Sequence, residues 1–504
     1  MESVEATYIA FLLYLVIMLA IGIITYRMTN TLSDYVLGGR KLNSWVAAIS
    51  AQASDMSGWL LLGLPGAAYA SGMGMWSIWI AIGLATGTML NWRYIAKRLR
   101  RYTELAGNSI TLSEYFENRF RDKSHILRII SAVFILIFFL FYTASGLVAG
   151  GKLFEATFGM EYHTALIIGS IVIIAYTFLG GFLAVSWTDF IQGILMFLAL
   201  IVAPIIAIVE LGGFGQIFAQ IGAANPDLLD VSMDVSLDEN GDWTTVNTLS
   251  LVGIVSALAW GLGYFGQPHI LARFMAIRKP EEVRKARLIS IVWVVLSLYG
   301  AIMVGFVGIA VFGTDTPLGD PEKVFIELVQ YAFHPWIAGF LLAAVLAAIM
   351  STIDSQLLVS SSALTEDFYR QFVRRDASEQ ELVWIGRLAV LLIALIAVYL
   401  AWEEGSVLEL VSYAWAGFGA AFGPAVVLSL FWKRMTGSGA VAGMIVGGLT
   451  VILWEGTSYE LYSIVPGFIF SAITIYAVSI VEGAPSQEIQ DEFEQAKKKL
   501  ASEH

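Results

Sequence analysis

The 504-residue chain contains no cysteine. Disulfides, thiol chemistry and cysteine-ligated metals are therefore excluded. Histidine is scarce as well. The five residues, His125, His163, His269, His334 and His504, show no metal-ligand spacing, so a hydrolase built on a histidine cluster has no material here. Charge is the third shortage. Only 14% of residues are charged against 58% hydrophobic, and the mean hydropathy is +0.74. Soluble domains carry about a quarter charged residues. That balance excludes a soluble globular protein, a disordered chain and a nucleic-acid binder. What is there is an all-α polytopic membrane protein in a lipid bilayer, whose spanning helices each need about 20 apolar residues.

Thirteen apolar segments are present, numbered here 1 to 13: 6–27, 44–70, 74–96, 126–152, 163–183, 188–210, 248–272, 288–313, 335–364, 384–402, 406–432, 438–456 and 461–481. The first follows MESVE without a basic flank or small-residue cleavage site, and reads as a span rather than a signal peptide. Lysine and arginine set orientation. Of the 29 basic residues, all but Lys152 and Lys323 fall in the tail or at loops on one side. This pattern puts the N-terminus outside and the C-terminus inside, with an odd number of spans. The outer loops are acidic. Between 211 and 247 stand Asp227, Asp230, Asp234, Asp238, Glu239 and Asp242, with no basic residue. The DENGDW stretch lacks the alternation and final glutamate of a calcium loop, and a solvated acidic loop is expected. The tail 482–504 is expected to be a short cytoplasmic helix, and 1–481 one transmembrane domain.

Segments 2 and 7 carry interruptions. Segment 2 contains Ser54-Asp55-Met56-Ser57-Gly58, then Gly63 and Pro65-Gly66. Segment 7 contains Gly261, Gly263, Gly266 and Pro268 in WGLGYFGQP. Unwound backbone at membrane depth survives only where it lines a cavity. The two segments lie five apart and run in opposite directions. Segments 2–6 (about 44–210) and 7–11 (about 248–432) would then form two inverted five-helix repeats, each with a broken first helix. That pattern points to the central site of a secondary transporter. The alternative is that the glycines only permit close helix packing.

Asp55 is the sharpest single residue. A carboxylate near a helix centre costs about 2.5–3.5 kcal/mol on insertion scales. A small cation is one partner for it; capping a broken half-helix is another role, and the two are compatible. Segment 9 offers Ser351 and Thr352, hard oxygen donors suited to sodium, although hydroxyls in spans often bond back to their own helix. Asp189, at the start of segment 6, is either a carboxylate at the mouth of a pathway or a helix N-cap. Tyr142, Trp260 and Tyr264 give aromatic bodies with polar tips, suited to a small amphiphilic solute or simply to packing.

These stretches carry a resemblance. YVLGGR at 35–40, SAQASDMSGWLLLGLPG at 50–66, FYTASGLVAG at 141–150, GGFLAVSWTD at 180–189, WGLGYFGQPHILARFMA at 260–276, AAIMSTIDSQLLVSSSALTED at 347–367 and VSYAWAGFGAAFGP at 411–424 resemble the sodium/solute symporter family, and segments 2 and 7 its proline-transporting branch. The resemblance covers nearly the whole chain. It implies a leucine-transporter-type five-plus-five inverted repeat on thirteen helices, with N-terminus outside and extra segments 1, 12 and 13. It implies coupled uptake of L-proline and a sodium ion across the plasma membrane, with no bond made or broken. It implies a sodium site of five oxygens: the carbonyls of Ala53, Met56 and Ala348 and the hydroxyls of Ser351 and Thr352. Asp55 resembles the carboxylate needed for sodium-dependent transport, with Ser57 and Gly58 near the substrate. Tyr142, Trp260, Tyr264 and Pro268 match substrate positions of the proline branch, and Arg40 matches an arginine that affects coupling. One departure is Asp354, where the branch pattern has a small polar residue. A second carboxylate there could add a cation contact or a gate, and it leaves the ion stoichiometry open.

Overall fold

The computed structural model describes residues 2–26, 32–177, 181–238, 240–313 and 317–501. The last residue of segment 1, Gly180 of the GGFLAVSWTD stretch, Glu239 and His504 lie outside the described residues. A helical run coincides with each of the thirteen apolar segments. Eight helices among the described residues are long and apolar enough to cross a membrane. The rest are shorter or interrupted, and the interruptions have local causes.

Segment 2 begins as a helix at Ser44–Asp55, capped by Asn43, whose side chain accepts from the backbone of Trp45 and Val46. It breaks at Met56, where ψ is 73°, and resumes through a wide turn at Trp59–Gly63 into Leu64–Ser71. Pro65 makes no second break: the helical run continues from the wide turn Trp59–Gly63 through it into Leu64–Ser71. Segment 7 runs Leu251–Leu258, then a tight 3-10 stretch Ala259–Gly266, then Pro268–Ala276. Extended backbone at Gln267 separates the last two. Glycine at 263 is required by packing too: a Cβ there would lie 1.9 Å from the Trp415 indole nitrogen.

Packing follows a repeated scheme. Segment 2 packs on segments 6 and 8, and segment 7 packs on 11 and 3. Segment 4 packs on 5 and 11, and segment 9 on 10 and 6. Segment 1 lies against 9 and 6, while 12 and 13 pair beside 11. The tail forms a helix, Gln487–Ala501, with Ile489, Phe493 and Ala496 buried beneath it.

Two expectations are corrected. The helix of segment 6 starts at Phe182, with Gly181 as its cap. Asp189 is therefore two turns inside the helix and is not an N-cap. The acidic loop is not wholly irregular. It contains a helix, Phe214–Ala224, and an antiparallel hairpin of β1, Met233–Leu237, and β2, Trp243–Thr248, with Val246 bulged. The DENGDW stretch spans the connection between the two strands and the first residue of β2, Trp243. Asp238 accepts the backbone N–H groups of Asn240 and Asp242, both at 2.9 Å, which hold its carboxyl below the usual range. The Trp243 indole donates to the Tyr69 carbonyl at 2.8 Å and pins the hairpin onto segment 2. Several basic residues near the loops are buried: Arg100, Arg119, Arg128, Arg273 and Arg387.

The two basic residues outside the one-sided pattern are both ion-paired. Lys152 meets Asp320 at 2.9 Å and Glu322 at 2.8 Å. Lys323 meets Glu155 at 2.7 Å. Glu322 also accepts the backbone N–H groups of Val407 and Leu408 at the start of segment 11.

Candidate functional site

The breaks in segments 2 and 7 face each other, and segments 4, 9 and 11 close around them. The break of segment 2 meets segment 9 directly. Ser351 donates to the Ala53 carbonyl at 2.8 Å and Thr352 to the same oxygen at 3.2 Å. Ser351 also reaches the Ala348 carbonyl at 3.1 Å. Four of the five oxygen-bearing residues named from the sequence thus share one buried spot. The fifth, Met56, ends the helix directly beside them, its N–H bonded to the Gln52 carbonyl. Gly58 lets segment 4 in: a Cβ there would be 2.6 Å from that of Ala149.

Asp55 is fully buried. Its Oδ2 accepts from the Tyr264 hydroxyl at 2.8 Å, and its Oδ1 has no hydrogen-bond partner among the described residues. Its carbonyl, freed by the break, accepts from the Tyr142 hydroxyl at 2.9 Å, the Trp59 indole at 3.0 Å and Ser57 N–H at 2.9 Å. One residue therefore joins segments 2, 4 and 7. The aromatic rings are also packed. Trp260 stacks on Tyr462 with centroids 5.4 Å apart, and Tyr264 stands edge-on to Trp415 at 5.0 Å. Trp415 donates to the Trp260 carbonyl at 2.7 Å and Asn91 to the Tyr264 carbonyl at 2.8 Å. These bonds satisfy carbonyls that the 3-10 stretch leaves open. Pro268 opens the second half-helix and lines a narrow cavity of about 30 Å³ with Thr111, Ser362 and Asp367.

Asp189 and Asp354 lie in a second buried cluster, on the side of segment 9 one turn past Ser351. Asp189 Oδ2 accepts from Ser50 at 2.7 Å and from the Arg273 guanidinium at 3.0 Å. Arg273 also donates to Ser355 at 2.6 Å and to the His269 carbonyl at 3.0 Å. Ser355 in turn reaches the Ser351 carbonyl at 2.9 Å and Asp354 Oδ1 at 3.5 Å. Asp354 Oδ2 and Asp189 Oδ1 have no partner among the described residues. Arg273 thus ties segments 2, 6, 7 and 9 together. The sequence reading missed this because it took Arg273 for a loop charge. The available signal was its position one turn after His269 in a half-helix that must face the core. His269 was passed over as well. It is buried against Phe139 and Tyr142, and neither ring nitrogen has a hydrogen-bond partner among the described residues.

Removing one partner of a buried pair leaves an uncompensated charge. Arg273→Ala should therefore lower stability by about 3–5 kcal/mol. Adding Asp189→Asn should recover part of that loss, read by thermal unfolding of the purified protein. Equal losses in the single and double variants would show that the pair is not coupled.

Arg40 stands apart from both clusters, at the end of segment 2 away from the hairpin. Gly38, Gly39 and Arg40 all have φ between 55° and 59°, a conformation glycine adopts freely and arginine does not. Four bonds hold it: to Met275 O at 2.6 Å, Ser109 O at 2.8 Å, and Thr103 Oγ1 and Asn108 Oδ1 at 3.2 Å. Burial, with some repulsion from Arg100, pushes its guanidinium down to about 10, so it stays charged at neutral pH.

Two broken helices facing each other at depth, with a buried carboxylate against one break, define a secondary transporter. The chain belongs to the sodium:solute symporter family, whose model matches residues 35–447. It is 53% identical over 480 residues to the high-affinity proline transporter PutP of Bacillus subtilis, covering 94% of this chain and 98% of that one. It is 54% identical over 495 residues to the sodium/proline symporter of Escherichia coli, covering 97% and 95%. The solved structure of a Na⁺-coupled sialic acid symporter shares the fold with a TM-score of 0.77 at 20% identity, covering 96% of this chain and 99% of that one. The protein is a sodium-coupled transporter and not an enzyme.

Proposed function

We propose that the chain takes L-proline into the cell with sodium by alternating access across the plasma membrane. The observation that carries this is the meeting of Ala53, Ala348, Ser351 and Thr352 at the break of segment 2, beside an Asp55 that is held by Tyr264 of segment 7. Hard neutral oxygens beside a half-satisfied buried carboxylate suit sodium. Ala53, Met56, Ala348, Ser351 and Thr352 hold the ion, and Asp55 attracts it and couples it to segment 7. Ser57, Gly58, Tyr142, Trp260, Tyr264 and Pro268 surround the substrate. The N-terminus of Pro268–Ala276 favours a carboxylate. The aromatic rings of Tyr142, Trp260 and Tyr264 suit a pyrrolidine ring and its ammonium. Asp189 and Asp354 flank the ion's path on the far side of Ser351, and Arg40 braces segment 2 where it leaves the membrane.

We place the N-terminus outside, the C-terminus inside and thirteen spans between them, with segments 2–6 and 7–11 as inverted repeats. The matched packing pairs and the one-sided basic residues support this arrangement. One sodium ion entering at −100 mV supplies about 2.3 kcal/mol from the potential alone. The direct test is sodium-dependent uptake of labelled proline into proteoliposomes, with other amino acids and pantothenate as competitors. Uptake indifferent to sodium, or a competitor that outdoes unlabelled proline, would overturn the assignment.

Ser351→Ala and Thr352→Ala each remove one hard oxygen. Each should raise the sodium needed for half-maximal uptake about tenfold, or roughly 1.4 kcal/mol. A change confined to proline affinity at saturating sodium would show that the hydroxyls serve the substrate instead.

A further inference from the structure

A cleft of about 480 Å³ opens where segments 3 and 8 meet on the basic side of the molecule. Arg93, Lys97, Arg98, Arg284 and Arg287 line it, with Glu281 as the one carboxylate. Glu281 is half exposed and lies 4.0 Å from Arg101, at the limit of an ion pair. Arg98 lies over the Phe431 ring at 4.2 Å. Arg93, Arg284 and Arg287 have no carboxylate within ion-pair distance among the described residues, and Arg287 has the other two as like-charged neighbours. Surface arginines in this protein usually find a carboxylate, as Arg101, Arg121, Arg278, Arg370 and Arg374 do. Three unpaired guanidiniums around one cleft are a concentration of positive charge in want of an anion.

The surface above the cleft is as informative. Leu288 follows Arg284 by one helical turn, and Val292, Val295 and Tyr299 continue on from it. All four are open, at 65%, 49%, 46% and 55% exposure. Their spacing keeps them on one face of segment 8. Met89 and Ile82 on the adjoining face of segment 3 are exposed as well. Tyr94, at the rim, is half exposed, as aromatic residues are where headgroups begin. Leu500 of the tail helix closes the opposite edge. The cleft is therefore continuous with an apolar stripe that runs up the membrane-facing surface.

We propose that this cleft and stripe bind an anionic phospholipid of the cytoplasmic leaflet. Its phosphate sits among Arg93, Arg284 and Arg287, and its acyl chains lie along Leu288–Tyr299. A soluble phosphate would use the cleft and leave the stripe idle; a zwitterionic lipid would use the stripe and leave the guanidiniums unneutralised. The proposal takes the basic side as cytoplasmic and is independent of which solute is carried. Basic pockets between helices on that side recognise anionic headgroups, each basic residue adding about 1 kcal/mol near the surface.

The test is native mass spectrometry of the purified full-length protein mixed with phosphatidylglycerol or phosphatidylcholine. The Arg93→Gln/Arg284→Gln/Arg287→Gln variant should retain at least about tenfold less phosphatidylglycerol than the wild type. Phosphatidylcholine retention should be the same in both, and millimolar inorganic phosphate should not displace the bound lipid. Sodium-driven proline uptake by the variant reports that it is folded. The exposed single substitution Arg284→Gln, expected to lose about fivefold, serves if the triple variant aggregates. Equal phosphatidylglycerol retention by variant and wild type would overturn the site. Displacement by inorganic phosphate alone would overturn the lipid as its occupant.

Discussion

Asp55→Asn should cut sodium-driven uptake by about a hundredfold while leaving the protein in the membrane. A unit charge about 6 Å from the ion, at an effective dielectric constant of about 20, contributes roughly 2.8 kcal/mol, which is about a hundredfold in affinity. Asparagine keeps the shape and can still accept from Tyr264, so the fold should persist. Asp55→Glu keeps the charge and should mainly raise the sodium requirement, since the longer side chain must displace the Tyr264 hydroxyl at 2.8 Å. The measurement is initial uptake rate against sodium concentration in proteoliposomes. Wild-type sodium dependence in Asp55→Asn would remove the carboxylate from the coupling mechanism.

Trp260→Ala should raise the proline concentration for half-maximal uptake at least about tenfold, roughly 1.4 kcal/mol. Sodium binding measured without proline should move much less. Tyr264→Phe is expected to behave differently. Its hydroxyl is bonded to Asp55, so its loss frees a buried carboxylate oxygen and should disturb sodium and proline together. Comparing proline-free sodium affinity with proline affinity in both variants separates the two roles. Unchanged proline affinity in both would move the substrate away from segment 7.

How much of this was legible beforehand depended on range. Helices where apolar segments lie, breaks at Met56–Gly58 and Gly266–Pro268, and a helical tail all follow from local composition, because glycine, proline and apolar runs act on their own neighbourhood. The meeting of Ala53 with Ser351 and Thr352 was legible only through the family resemblance, since about 300 residues separate the partners. The hairpin within 233–248 escaped because its short strands are polar and lie on no buried face until Trp243 docks on Tyr69.

By itself, then, the sequence determined a cysteine-free helical membrane protein with two interrupted helices and a buried carboxylate beside one break. Those properties are set by side-chain transfer energies and backbone propensity, which need no partner. Only the tertiary structure decided what the charged residues do. Arg273 and Arg284 stand eleven positions apart, and the sequence treats them as equal loop charges. Packing buries Arg273 against Asp189, Ser50 and Ser355, and leaves Arg284 open at the rim of a basic cleft. The physical reason is that a charge takes its meaning from what lies within a few ångströms, and which segments come that close is settled by the fold.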